Sequence, residues 1–200
     1  MATAEDLFNQ GKEASRNKRF VDAAESWNRA ADLGHSLSGA LLAQMLIDDN
    51  PDVPADRARA FHLASSGSAH GCQHSKGVLS CCYSCGYGVA SDERKAFELA
   101  TESATGGSSI GQYQLSRCYA RGIGVEPDQW DELRYLRLAA EQGYALAQHI
   151  LAMIYEWGSN LVQRNTSRAV ELYRLAAEQG DESAQWHLDY MSTNQSRVSG

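Results

Sequence analysis

Small and apolar residues recur along the chain at three- and four-residue steps. In one stretch Gly111, Leu115, Cys118 and Tyr119 fall within about 100° of one another at about 100° per residue, while Tyr113, Arg117 and Ala120 lie on the opposite side. In another, Ala96, Phe97, Ala100 and Ala104 keep the same helical spacing. Each predicted helix carries its own stop. A glycine follows a Tyr-x-x step at Gly86, Gly122 and Gly158, and a second series, Gly34, Gly71, Gly107, Gly143 and Gly180, closes the alternate helices. Helices commonly end on a left-handed residue that side chains resist. Starts are marked by Asp56, Asp92 and either Asn165 or Thr166, where a side-chain oxygen can cap the first turn.

The punctuation is periodic. The closing glycines are spaced 37, 36, 36 and 37 residues apart, and Ala139-Ala-Glu-Gln-Gly143 recurs as Ala176-Ala-Glu-Gln-Gly180. Asp56-Arg-Ala-Arg-Ala-Phe-His-Leu-Ala64 aligns in the same way with Asp92-Glu-Arg-Lys-Ala-Phe-Glu-Leu-Ala100. One such unit holds two helices of about 13 residues and two connections of about 5. Every unit is therefore a helix hairpin. The pattern predicts helix pairs over residues 4–17 and 20–33, 36–49 and 56–66, 71–85 and 92–105, 108–121 and 129–142, and 144–157 and 166–179, then a last helix over 182–191. Residues 192–200 are polar and are expected to form a disordered tail. The fold class is all-α, an α-solenoid of stacked antiparallel hairpins with a period of 36–37 residues. An N-terminal hairpin (residues 1–34) runs continuously into the array (35–191). Lone hairpins cannot hide their apolar faces, so stability comes from stacking.

Composition narrows the class. With 43% hydrophobic and 22% charged residues the chain is expected to fold and stay soluble. The 25 acidic against 18 basic residues give a net charge of −7, so nucleic acid is not an expected partner. The longest apolar-looking run, residues 40–47, is too short to span a bilayer. The N-terminus lacks a basic stretch followed by an apolar core, and the five cysteines are an odd number. Both point to reduced thiols and a cytoplasmic location.

The run Gly111-Gln-Tyr-Gln-Leu-Ser-Arg-Cys-Tyr119-Ala-Arg-Gly122-Ile-Gly124-Val125-Glu-Pro-Asp128 resembles the Sel-1-like repeat. A second copy runs through Leu79, Tyr83, Gly86, Gly88, Val89, Asp92, Lys95, Ala96 and Gly107, and a third through Leu151, Tyr155, Gly158, Ala169, Leu172, Tyr173, Ala176, Ala177 and Gly180. The first hairpin, with Ala23-Ala-Glu-Ser-Trp27-Asn-Arg-Ala-Ala31, looks more like the related tetratricopeptide repeat. Ser159-Asn-Leu-Val162 and Asp49-Asn-Pro-Asp-Val53 depart from the Gly-x-Gly-Val form, so those two loops should differ in shape. The resemblance implies a right-handed α-solenoid that serves other proteins as an adaptor or scaffold.

Reactive chemistry finds little support. Cys81 and Cys85 stand one helical turn apart, but His74 is about 10 Å further along the axis, and zinc needs four converging ligands. Cys82 and Cys118 fall in a column with Met45 and Ile154 and read as small buried apolar residues. The Gly-x-Gly loops lack the third glycine and the strand of a dinucleotide site. The six histidines form no metalloprotease motif. The expectation is no enzyme, no catalytic residues, no metal and no cofactor.

What remains is a surface. The outward positions of the first helices form three columns: Ala40, Gly77, Tyr113, His149 and Trp186; Gln44, Cys81, Arg117, Met153 and Tyr190; and Asp48, Cys85, Arg121 and Trp157. They become aromatic and basic toward the C-terminus, and first helices line the concave side of helical solenoids. Tyr113, Arg117, Arg121, His149, Met153, Trp157, Trp186 and Tyr190 are therefore the candidate partner-binding residues of a groove for a protein or peptide. Two alternatives stand beside it. One is a structural subunit, homo- or hetero-oligomeric, that assembles through end faces around Trp186 and Leu188. The other is a metal- or thiol-dependent protein that uses Cys81 and Cys85.

Overall fold

The computed structural model describes residues 2–48 and 51–198, and every regular element among them is a helix. The helices are α1 (Ala4–Arg16), α2 (Phe20–Asp32), α3 (Ser36–Ile47), α4 (Arg57–Ala69), α5 (Gln73–Cys85), α6 (Glu93–Thr105), α7 (Ser109–Arg121), α8 (Gln129–Glu141), α9 (Ala145–Trp157), α10 (Thr166–Glu178) and α11 (Glu182–Val198). Their bounds follow the predicted hairpins closely. The predicted end of α3 at Asp49 lies outside the described residues, as does Asn50 in the loop that follows.

The caps explain the agreement. Asp56, Asp92 and Asn165 each accept a hydrogen bond from the backbone N–H three residues on, at Arg59, Lys95 and Arg168. Asn165 is thus the cap of α10, and Thr166 is its first helical residue. Asp128 does the same for α8, accepting from the N–H groups of Trp130 and Asp131. The Gly-x-Gly-Val loops fold back onto the preceding second helix. At Gly124 (φ +68°) an added Cβ would lie 2.4 Å from the Glu93 carbonyl oxygen at the start of α6, so only glycine fits. The loop after α9 does differ: Gly158 takes φ 76°, ψ 169° where Gly122 takes φ 72°, ψ 32°, and the Ser159 N–H bonds to the Val162 carbonyl.

The last helix runs past its expected end at Met191 to Val198, and residues 199–200 lie outside the described residues. No glycine or proline interrupts 182–198. The Ser192 and Thr193 hydroxyls donate to the carbonyls of Asp189 and Tyr190, within the helix's own turns.

The chain divides into two compact units, Met1–Glu132 and Leu133–Gly200. In the first, α1 to α7 pack pairwise in order, and the first helices α3, α5 and α7 also touch one another. The core is built from Leu7, Trp27, Leu42, Val78, Leu115 and a series of alanines with no exposure. An aromatic contact recurs between hairpins. Phe61 of α4 meets Tyr83 of α5 edge-on at 5.8 Å, and Phe97 of α6 meets Tyr119 of α7 at 5.9 Å. Where α7 crosses α6 the packing is tight, since a Cβ on Gly111 would lie 2.6 Å from the Ala104 amide nitrogen. In the second unit α10 packs between α9 and α11, and Leu136, Leu151, Leu172 and Tyr173 are buried. No helix among the described residues is long and apolar enough to cross a membrane.

Candidate functional site

The outward columns divide between the units. In the first unit Ala40 and Gly77 are buried. Their small size lets the neighbouring first helices close together, and Ile110 and Gly111 lie against Gly77. Tyr113 and Arg117 are half-buried on α7, and Arg121 is exposed at its end. The Arg117 guanidinium sits 6.0 Å from the Tyr113 ring and donates to the Gln114 side-chain oxygen at 2.8 Å.

The same guanidinium faces both thiols of α5. Its Nη1 is 3.9 Å from the Cys81 sulfur and its Nη2 is 3.9 Å from the Cys85 sulfur. Cys85 is exposed and Cys81 half-buried. The neighbouring Cys81 thiol holds Cys85 well below the ordinary thiol value, and Cys85 together with burial pushes Cys81 up. Ser84 and Arg117 add to the stabilisation of the Cys85 thiolate. Burial acts the other way on the core thiols, taking Cys82 to about 12 and Cys118 to about 11. Both are buried, as their repeat column predicts. Among the described residues no group of three or more His, Cys, Asp or Glu side chains is placed to hold a metal ion.

In the second unit the expected residues part company. Met153 and Trp157 are 38% and 70% exposed on one face of α9, and Trp186 and Tyr190 are 61% and 49% exposed on α11. The last two rings stack at 5.5 Å with 11° between their planes. His149, expected on the outer stripe, turns instead into a largely buried polar network. Its Nδ1 lies 2.9 Å from the Asp181 carboxylate, and its ring meets His187 at 5.7 Å. The reason is that Asp181, in the turn before α11, offers a partner that solvent would otherwise have to supply.

That network was not legible as a site. Tyr173, with no exposure, donates from Oη to Glu156 Oε2 at 2.7 Å and stacks on His187 at 4.6 Å. Burial, and then the bond to Glu156, raises the phenol above its ordinary value. His187 Nδ1 is 3.3 Å from the same carboxylate oxygen but lacks the angle of a hydrogen bond. A signal was present: Tyr173 stands eight residues after its cap, where the other hairpins have Ala64, Ala100 and Leu136. A hydroxyl in a core column demands a partner. Trp130, which the outward columns do not include, is 71% exposed on α8.

The sequence profile of the Sel1 repeat matches four consecutive segments, residues 40–72, 77–108, 109–144 and 145–181. No curated protein sequence matches the chain. Among solved structures, a Sel1 repeat protein from Oxalobacter formigenes is similar with a TM-score of 0.66 and 23% identity, over 98% of this chain and 57% of that one. A sel1 repeat protein from Klebsiella pneumoniae subsp. pneumoniae gives a TM-score of 0.65 and 21% identity, over 94% of this chain and 93% of that one. A protective antigen present in uropathogenic Escherichia coli strains, with an SLR fold, gives 0.60 and 26% identity, over 96% of this chain and 42% of that one. The chain thus spans about half the length of the Oxalobacter and Escherichia proteins.

Proposed function

The chain belongs to the Sel1 repeat family, and from that premise we propose that it is a non-catalytic adaptor, working in the cytoplasm, whose first-helix faces bind a peptide or partner protein. Helical repeats of this family commonly mediate protein–protein interaction. The observation that carries the reading is the set of large side chains left in solvent on α9 and α11: Met153, Trp157, Trp186 and Tyr190. Aromatic side chains bury about 150–250 Å² each when covered. With half to seven-tenths of each ring still in solvent, at about 25 cal/mol per Å² one such ring supplies roughly 2–4 kcal/mol before the costs of association. Tyr113, Arg117 and Arg121 offer a second, more polar face on the first unit. His149 is not a contact residue in this reading, because Asp181 and His187 occupy it.

The test replaces Trp157, Trp186 and Tyr190 together with alanine and measures capture of a stoichiometric partner by chemical crosslinking in native extract. Capture should fall at least about tenfold while helical content and melting temperature stay close to those of the parent. Undiminished capture would refute the reading. Sedimentation of the purified chain separates the rival: self-association lost in the triple variant would make a second copy the occupant.

A further inference from the structure

We infer that Cys85, flanked by Cys81 and Arg117, is a thiol–disulfide exchange site for small disulfides that carry carboxylates. Three features of the first unit support it. The Cys85 sulfur is exposed at the end of α5, whereas Cys82 and Cys118 are buried and inert. A cation stands over it, with Arg117 Nη2 at 3.9 Å and Nη1 at the same distance from Cys81. The half-buried Cys81 thiol stands one helical turn before Cys85, and the Ser84 hydroxyl lies 3.6 Å from the Cys85 sulfur. Opposing these, the last turn of a helix disfavours negative charge. The Arg117 guanidinium, with the Cys81 and Ser84 side chains beside it, outweighs that opposition, and the thiolate is the favoured form.

The choice of reagent follows from the surroundings. Arg117 and Arg121 are one turn apart on α7, and both act with Asp48 on the neighbouring Tyr113. The two guanidinium groups offset Asp48 and the Cys85 thiolate, so a carboxylate is met by the N–H fork of Arg117 rather than by surplus charge. In the reaction the Cys85 thiolate attacks one sulfur of the small disulfide. The reagent's S–S bond breaks as the mixed disulfide with Cys85 forms. The departing half leaves as a thiolate with the electron pair and takes a proton from solvent. The small disulfide is the oxidant, and no other is needed.

Speed at neutral pH is a poor signature, because a thiol loses intrinsic nucleophilicity as its acidity rises. The pH dependence is better. Between about pH 8 and pH 5.5 an ordinary thiol loses roughly 200-fold in thiolate. The full chain is treated with the dianionic disulfide DTNB and, separately, with the neutral disulfide of 2-mercaptoethanol, and each cysteine is quantified by peptide mass spectrometry. Cys85 should react with DTNB at rates that differ less than about threefold between those pH values, and at pH 5.5 it should be labelled well ahead of the half-buried Cys72. Arg117→Gln should slow DTNB at least about fivefold, the neutral reagent less, with Arg117→Lys between. Should Arg117→Gln lower the melting temperature, the parent chain decides: raising salt must slow DTNB more than the neutral reagent. Labelling of Cys85 no faster than Cys72 at pH 5.5, a well-folded Arg117→Gln with an unchanged DTNB rate, or equal salt effects on both reagents would each overturn the assignment.

Discussion

Removing one oxygen atom from the second unit tests how its buried network is held. Tyr173→Phe deletes the hydroxyl that donates to Glu156 at 2.7 Å, and both side chains are buried. The ring keeps its place against His187 at 4.6 Å, so packing changes little. Glu156 loses its hydrogen-bond donor from α10 and keeps only the imperfectly aimed His187. A hydrogen bond to a charged group is worth about 1.5–3 kcal/mol, and a buried acceptor left short forfeits that amount. Hydrogen exchange is the suitable assay, because the two units need not open together. The loss corresponds to roughly 10–150-fold faster exchange of the protected amides of α9 and α10, with α5 and α6 unchanged. Pairing the change with Glu156→Leu should cost less than the two single changes summed, since removing both partners leaves nothing unsatisfied. Acceleration below about threefold, or strict additivity, would refute the assignment of this bond as a brace.

Further outcomes follow from other sites. Gly111→Ala forces a Cβ to within 2.6 Å of the Ala104 amide nitrogen and should destabilise the first unit by about 1–3 kcal/mol in urea unfolding. Asn165→Ala removes the α10 cap and should cost about 1 kcal/mol in the same assay, with glycine at that position costing less. The Thr3 backbone and hydroxyl hold Asp6 below its ordinary value of 3.8. A depressed carboxyl stabilises α1 above the unfolded value, and the benefit disappears as pH falls through the lower folded value. An NMR titration should show the Asp6 midpoint rising toward 3.8 in Thr3→Ala.

The repeat was readable because its signals are local. A cap such as Asp92 acts three residues away on Lys95, and a stop such as Gly122 acts on the helix it ends, so both are written in neighbouring letters. The buried state of Cys82 and Cys118 was readable from their shared column. The surface was read less well because exposure depends on what lies alongside. Ala40 and Gly77 share a column with Trp186, yet both are buried, Gly77 against Ile110 and Gly111 of the next first helix. His149 binds Asp181, 32 residues on, and Tyr173 finds Glu156, 17 residues back. Such pairs are set by which turn of one helix meets which turn of another, which the period alone does not specify. The Arg117 contact with Cys81 and Cys85 belongs to the same class. Extension of α11 past Met191 escaped notice because a polar segment reads as solvated whether or not it keeps helical hydrogen bonds.

Scanning a photo-activated crosslinking residue across the chain tests the interaction surface directly. Placed at Met153, Trp157 or Tyr190 it should trap the same partner, while placed at Arg94 of α6 or Trp130 of α8 it should trap none. Trp130 makes the comparison severe, because it is as exposed as Trp157 but lies on a second helix. Crosslinks confined to Trp130 and Arg94, with the α9 and α11 positions silent, would contradict the account.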